Sequence, residues 1–221
     1  DGVMETADDS ALFQSWGSIT VINPLEKIWN GYSDTRMGAS MDSYLNGYND
    51  PRLPVYFQPV TDGDNKGEYR GVANGMPNPQ QEDYKAMSSP NVQEKSTDSP
   101  LRWMMASEVA FLRAEGAMRG WTAEMGGTAE EFYNKGIELS FLENGLSADA
   151  AARYAADETS KPTDFTDVSA ANTKYNISAL GKIAIKWNSG ASEEEQLERI
   201  ITQKWIAMFP NGTEAWSEFR R

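Results

Sequence analysis

The chain of 221 residues carries 20 Lys and Arg against 33 Asp and Glu, a formal charge of −13, and it contains no apolar run long enough to span a membrane. That charge opposes binding to phosphate backbones or anionic lipid, and no basic patch overrides it, because Lys and Arg stand singly apart from the closing Arg220 and Arg221. With no Cys and no His, Ser-His-Asp and Cys-His catalysis, thiolate chemistry and nearly all zinc sites are excluded, leaving carboxylates, Lys, Tyr and hydroxyls as catalytic candidates.

The length suits one domain, and the opening DGVMETADDS has neither the basic nor the apolar stretch of an export signal, nor a lipid-attachment Cys. Any such signal is expected to have been removed or left out. SMDSYLNGY at 40–48 reads as a short helix, whereas RLPVYFQPV at 52–60 is broken by Pro54 and Pro59, which predicts extended or edge structure. DGDNKGE at 62–68 is similar to the start of a calcium loop, with Asp62, Asp64 and Gly67 in place. Lys66 at the fifth position and Ala73 at the twelfth break the pattern, so a solvated turn and no metal are expected. Residues 77–100, rich in Pro, Ser, Asn and charge, predict an extended surface loop within the domain.

Beyond Pro100 the punctuation becomes helical. Three candidate capping boxes, Thr128 with Glu131, Ser192 with Glu195 and Asn211 with Glu214, each head a helical segment. Residues 107–119 and 128–142 predict a helical hairpin of about the length of a tetratricopeptide repeat, in which Gly116 and Gly136 permit close approach. Residues 147–156 predict a helix capped by Ser147, and SALGKIAIKWN at 178–188 another. After Ser192, the residues Leu197, Ile200, Ile201, Trp205 and Met208 fall on one apolar face, with Glu194, Glu195, Glu198 and Arg199 pointing elsewhere. The class is therefore mainly α with little β, divided into a loop- and aromatic-rich part over 1–100 and a helical part over 101–221.

Four strings in order, YSDTRMGASMDSYLNGYNDPRLPVYFQP at 32–59, YRGVANG at 69–75, RWMMASEVAFLRAEGAMRGW at 102–121 and ERIITQKWIAMFPNGTEAWSEFRR at 198–221, resemble the SusD/RagB family of outer-membrane nutrient-binding lipoproteins. The resemblance includes the Asp50-Pro51-Arg52 turn, the Ala-Glu-rich helix around Ala106 to Ala117, the Gln203-Lys204-Trp205 helix and the double-Arg ending. It implies a tetratricopeptide-like helical-repeat fold with long irregular loops, of which this chain is the C-terminal part. The family's N-terminal half and its Gly-Tyr-Pro continuation are missing, so a fragment is expected, with its lipid-anchoring Cys elsewhere.

The resemblance further implies an outer-leaflet lipoprotein that captures oligosaccharide or a comparable nutrient without catalysis or cofactor. It would pass this to a SusC-like TonB-dependent transporter. Sugar binding asks for flat apolar platforms flanked by planar polar groups. Trp29 and Tyr32 with Asp34 and Arg36, and Tyr69, Arg70 and Asn74, have that composition, while packing beneath loops is the commoner reason for each of these aromatics taken alone. Trp121, just after Gly120, either faces solvent or closes a helix cap, and stays outside the candidate set. Two rivals remain: a helical scaffold that mainly docks on the transporter, and a carboxylate-dependent glycosidase drawn from the abundant acids.

Overall fold

The computed structural model describes residues 2–14, 23–76, 81–91 and 99–218. The Arg220–Arg221 pair and parts of the 77–100 segment lie outside them. The chain packs as two compact units, each built from separated stretches. One takes Asp1–Phe13, Leu101–Thr159 and Ile183–Arg221, the other Gln14–Pro100 and Ser160–Lys182. The helical unit thus includes the first residues, and 160–182 rejoin the loop-rich one.

In the helical unit a short ribbon, β1 (Ala11–Phe13) antiparallel to β2 (Leu101–Met104), leads into α5 (Ala106–Met118), α6 (Thr122–Met125), α7 (Ala129–Glu143), α8 (Ala148–Ala155), α9 (Glu193–Ala207) and α10 (Gly212–Ser217). Helices α5 and α7 form the expected hairpin. Phe111 meets Tyr133 edge-on at 6.2 Å, Tyr133 packs on Trp187 at 5.2 Å, and the Tyr133 hydroxyl donates to the Ile185 carbonyl at 2.5 Å. Gly136 admits this contact: a Cβ there would stand 2.7 Å from the Phe111 ring. Gly116 serves a different contact, since a Cβ there would meet the side chains of Met125 and Trp121.

The Thr128–Glu131 and Ser192–Glu195 boxes are reciprocal, and Ser147 caps α8 through the Ala150 N–H. Asn211 accepts from the Glu214 N–H at 3.3 Å, as the third box requires of its first residue. Four expectations are corrected. Residues 178–188 are not helical: buried Gly181, Ile183, Ile185 and Trp187 alternate with Lys182, Ala184 and Lys186 at a period of two, and the stretch carries bends. Arg199 does not point away on α9. It is buried and donates to the carbonyls of Lys186 and Glu195, beside buried Gln203 and Lys204, while Leu197, Ile201 and Trp205 are half-buried.

The other two corrections fall in the loop-rich unit, which holds α1 (Pro24–Glu26) continuing as a π-helix over Lys27–Tyr32, α2 (Ala39–Gly47), α3 (Leu53–Tyr56) and α4 (Gln81–Tyr84). Helix α3 occupies part of the stretch expected to be extended. Pro54 sits in its first turn, where no N–H is needed. The 77–100 segment is not all surface loop, for Tyr84 and Met87 pack with Val60 in a buried cluster and Pro90 bridges Phe57. The 62–68 turn is largely exposed. Among the described residues no helix is long and apolar enough to cross a membrane.

The Gly136 contact makes a direct prediction. Gly136→Ala forces the Phe111 ring out of a closed core, and urea unfolding should show a loss of about 1–3 kcal/mol. Unchanged stability would mean that α5 and α7 do not meet at this spacing.

Candidate functional site

The loop-rich unit brings the two aromatic-polar clusters of the sequence onto neighbouring segments. Gly38 bridges Val72 in parallel, with Ala39 N–H donating to the Val72 carbonyl at 2.9 Å and Val72 N–H to the Met37 carbonyl at 2.8 Å. Ser88 locks both from a third segment. Its carbonyl takes the Met37 N–H, its own N–H donates to the Arg70 carbonyl, and its Oγ accepts the Arg70 N–H. Residues 34–36 and 69–74 are thereby held on either side of one bridge.

The anchor beneath this bridge is Asp42 of α2. Its buried carboxylate accepts the Gly71 N–H at 2.6 Å and the Asn46 Nδ2–H at 2.9 Å, and lies 3.6 Å from the Arg70 guanidinium. Only glycine fits at 71, since a Cβ there would stand 2.9 Å from the Gly38 carbonyl oxygen and 3.0 Å from the Asp42 Cβ. Burial raises the pKa of Asp42, while the donors from Gly71 and Asn46 and the charge of Arg70 oppose that rise.

The predicted residues occupy distinct positions on this frame. Tyr32 is 65% exposed, Asp34 and Asn74 are exposed, and Tyr69 is half-buried. Asn74 lies across Gly38, its amide 3.3 Å from where a Cβ would be. Arg70 donates to the Thr166 carbonyl at 2.6 Å and also lies 3.7 Å from Glu68. Arg36 grips the carbonyls of Ser33, Thr35 and Lys85, and partial burial lowers its pKa against the opposing charge of Asp34. Trp29 is only 7% exposed, so it packs within the unit and offers no open ring face. A crevice between α2 and 165–180, lined by Tyr44, Phe165 and Leu180, measures about 30 Å³, too little for a sugar ring.

Asp42, Gly38 and Ser88 do not stand out in the sequence as site residues, because their roles depend on partners far along the chain. Trp121 stands outside the candidate set. It is 56% exposed, and it lines a cavity of about 380 Å³ on the helical unit. In the same unit Glu143, its pKa raised by burial, accepts the Ser107 N–H and hydroxyl and the Ser10 hydroxyl. Three carboxylates, Glu108, Glu214 and Glu218, approach one another, and Lys204, 2% exposed, lies 3.0 Å from Glu218 and 3.9 Å from Glu108.

A SusD-like family model, described as Susd and RagB outer membrane lipoprotein, matches residues 1–221. No curated protein matches. Among solved structures, a chitin-binding SusD homologue from Flavobacterium johnsoniae is 39% identical over 100% of this chain and 43% of its own, with a TM-score of 0.88. A SusD homologue from Bacteroides thetaiotaomicron is 42% identical over 100% and 44%, with a TM-score of 0.87. One from Bacteroides vulgatus is 36% identical over 98% and 42%, with a TM-score of 0.85. The chain therefore spans less than half the length of the solved structures that it matches, and the mainly helical fold is theirs.

The raised pKa of Asp42 sets a sign for its pH dependence. Between the ordinary value of 3.8 and the raised folded value, the folded protein binds a proton that the unfolded chain releases, so stability falls as pH rises through that window. Relative to Asp42→Asn, the native protein should gain unfolding free energy as pH is lowered from about 7 towards about 4. A difference that is flat or falls on acidification would contradict the buried position of this carboxylate.

Proposed function

This chain belongs to the SusD-like family of outer-membrane lipoproteins, and from that membership we propose that it captures oligosaccharide or a comparable nutrient at the extracellular face of the outer membrane, without catalysis, for delivery to a TonB-dependent transporter. The observation that carries the reading is the bridged surface of the loop-rich unit. Tyr32, Asp34, Arg36, Tyr69, Arg70 and Asn74 lie along two segments fixed by Asp42 and Ser88, with Trp29 packed in the same unit. An exposed tyrosine on the same unit as exposed amide and carboxylate groups supplies a C–H-binding face and planar hydrogen-bonding groups for sugar hydroxyls. The chitin-binding relative from Flavobacterium johnsoniae supports a neutral glycan as ligand. So does the charge of −13, which disfavours polyanions.

A second reading is favoured by the ribbon of the helical unit, where Leu12, Phe13 and Trp103 are all exposed. In it, this unit mainly supplies a surface that docks on the transporter. A glycosidase gains less support, because in the Glu108, Glu214 and Glu218 cluster the ammonium of Lys204 stands 3.0 Å from Glu218 and 3.9 Å from Glu108 and neutralises them.

Calorimetric titration with soluble chito-oligosaccharides and other neutral glycans tests the first reading. The Tyr32→Ala/Asn74→Ala double variant should bind about ten-fold or more weakly than the native chain. Equal affinity would move the site off this surface, and no binding by the folded native chain would favour docking. Hydrolysis of any glycan, lost on replacing a single acid, would overturn the non-catalytic assignment.

A further inference from the structure

Helix α5 ends in a tight reversal that leaves a tryptophan on its surface. Gly120 adopts φ +93°, its N–H donates to the Ala117 carbonyl at 3.1 Å, and the Trp121 N–H reaches back to the Gly116 carbonyl at 3.0 Å. The chain then enters α6, whose Met125 N–H donates to the Trp121 carbonyl. The indole rests over Gly116, its Cε3 3.5 Å from where a Cβ would project, so the ring lies against bare helix. Arg113 fixes the opposite wall by donating twice to the Met125 carbonyl, at 2.6 and 3.2 Å, while stacking 4.0 Å over the Phe132 ring.

The result is a preformed cavity of about 380 Å³ with Val109, Leu112, Trp121 and Met125 as its apolar lining and the Arg119–Glu115 pair, 2.8 Å apart, among its polar groups. Its volume lies at the small end of the range of roughly 300–1,000 Å³ for small-molecule sites. The main chain of Trp121 is fixed by hydrogen bonds on both sides, and its half-exposed indole lies against Gly116, so the ring face is presented in place before a ligand arrives. An amphipathic ligand with one C–H face and a fringe of hydroxyls matches an apolar floor edged by a guanidinium and a carboxylate. A purely hydrocarbon ligand leaves those two charges without new partners, and an anionic one meets Glu115 and the net charge of −13.

We propose that the Trp121 cavity of the helical unit is a second, weaker binding site for a neutral pyranose, separate from the bridged surface of the loop-rich unit. The proposal goes beyond the function assigned to that surface, because each site is read by its own residues. Neither set is shared.

The indole Nε1–H resonance of Trp121, assigned through Trp121→Phe, reports the site in nuclear magnetic resonance titrations with N,N′-diacetylchitobiose and with maltose. The resonance should move saturably with a dissociation constant on the order of millimolar. It should do so equally in Tyr32→Ala/Asn74→Ala, which separates failure of this site from failure of the first. Arg119→Ala should weaken the titration about five-fold with the indole position unchanged in the absence of sugar. A Trp121 signal unmoved by both sugars at saturating concentration would overturn the proposal. So would a response matched by cyclohexanol, which has the ring face without the hydroxyl array, for the cavity would then be an apolar contact surface only.

Discussion

The carboxylate of Asp42 is the constraint on which the proposed binding surface depends. A buried charge must be met by donors, and three reach it: the Gly71 N–H, the Asn46 amide and, more distantly, the Arg70 guanidinium. Satisfying one carboxylate therefore ties helix α2 to the 69–72 segment and sets the parallel bridge between Gly38 and Val72. Nearby, Asp50 does the same for its turn, taking the Arg52 N–H and guanidinium in a fully buried pair with Nη2 at 2.7 Å. In the helical unit Glu143 gathers Ser10 and Ser107. Loops that would otherwise be free are held by polar groups inside each unit. A surface fixed in this way has little ordering left to lose when a ligand arrives.

Much of the helical unit was legible from its punctuation. Thr128, Ser147 and Ser192 cap helices as their spacing predicts, because a cap and its partner lie within three residues and need no tertiary information. Misreadings came where distant partners decide. Arg199 looks like a solvent-facing charge on α9, yet the carbonyls of Lys186 and Glu195 draw it inside. Residues 178–188 carry both a helical composition and a two-residue alternation. The alternation wins because Ile185 presents its carbonyl to Tyr133 and Lys186 donates its N–H to Asp157, bonds that a helix would consume internally.

The site was legible in composition and only partly in geometry. Tyr32 and Asn74 stand exposed, but Trp29, of the same chemical promise, is buried, and nothing within a few residues distinguishes the two. Gly71 matters because the Gly38 carbonyl oxygen would stand 2.9 Å from a Cβ there, and Gly38 because the Asn74 amide would stand 3.3 Å from one, closeness that exists only in three dimensions. Trp121 shows the same limit from the other side. Both readings open to it hold together, since its main chain closes the α5 cap while its ring remains half in solvent.

Family membership, the bridged surface and the acidic charge support the proposal of neutral glycan capture at the polar-aromatic face of the loop-rich unit. The most direct test is backbone amide shift mapping of the ¹⁵N-labelled chain titrated with a soluble chito-oligosaccharide. Capture at the bridged surface predicts saturable changes concentrated at residues 32–38 and 69–74, on both sides of the Gly38–Val72 bridge. Saturation of the protein with no change at those residues would contradict it.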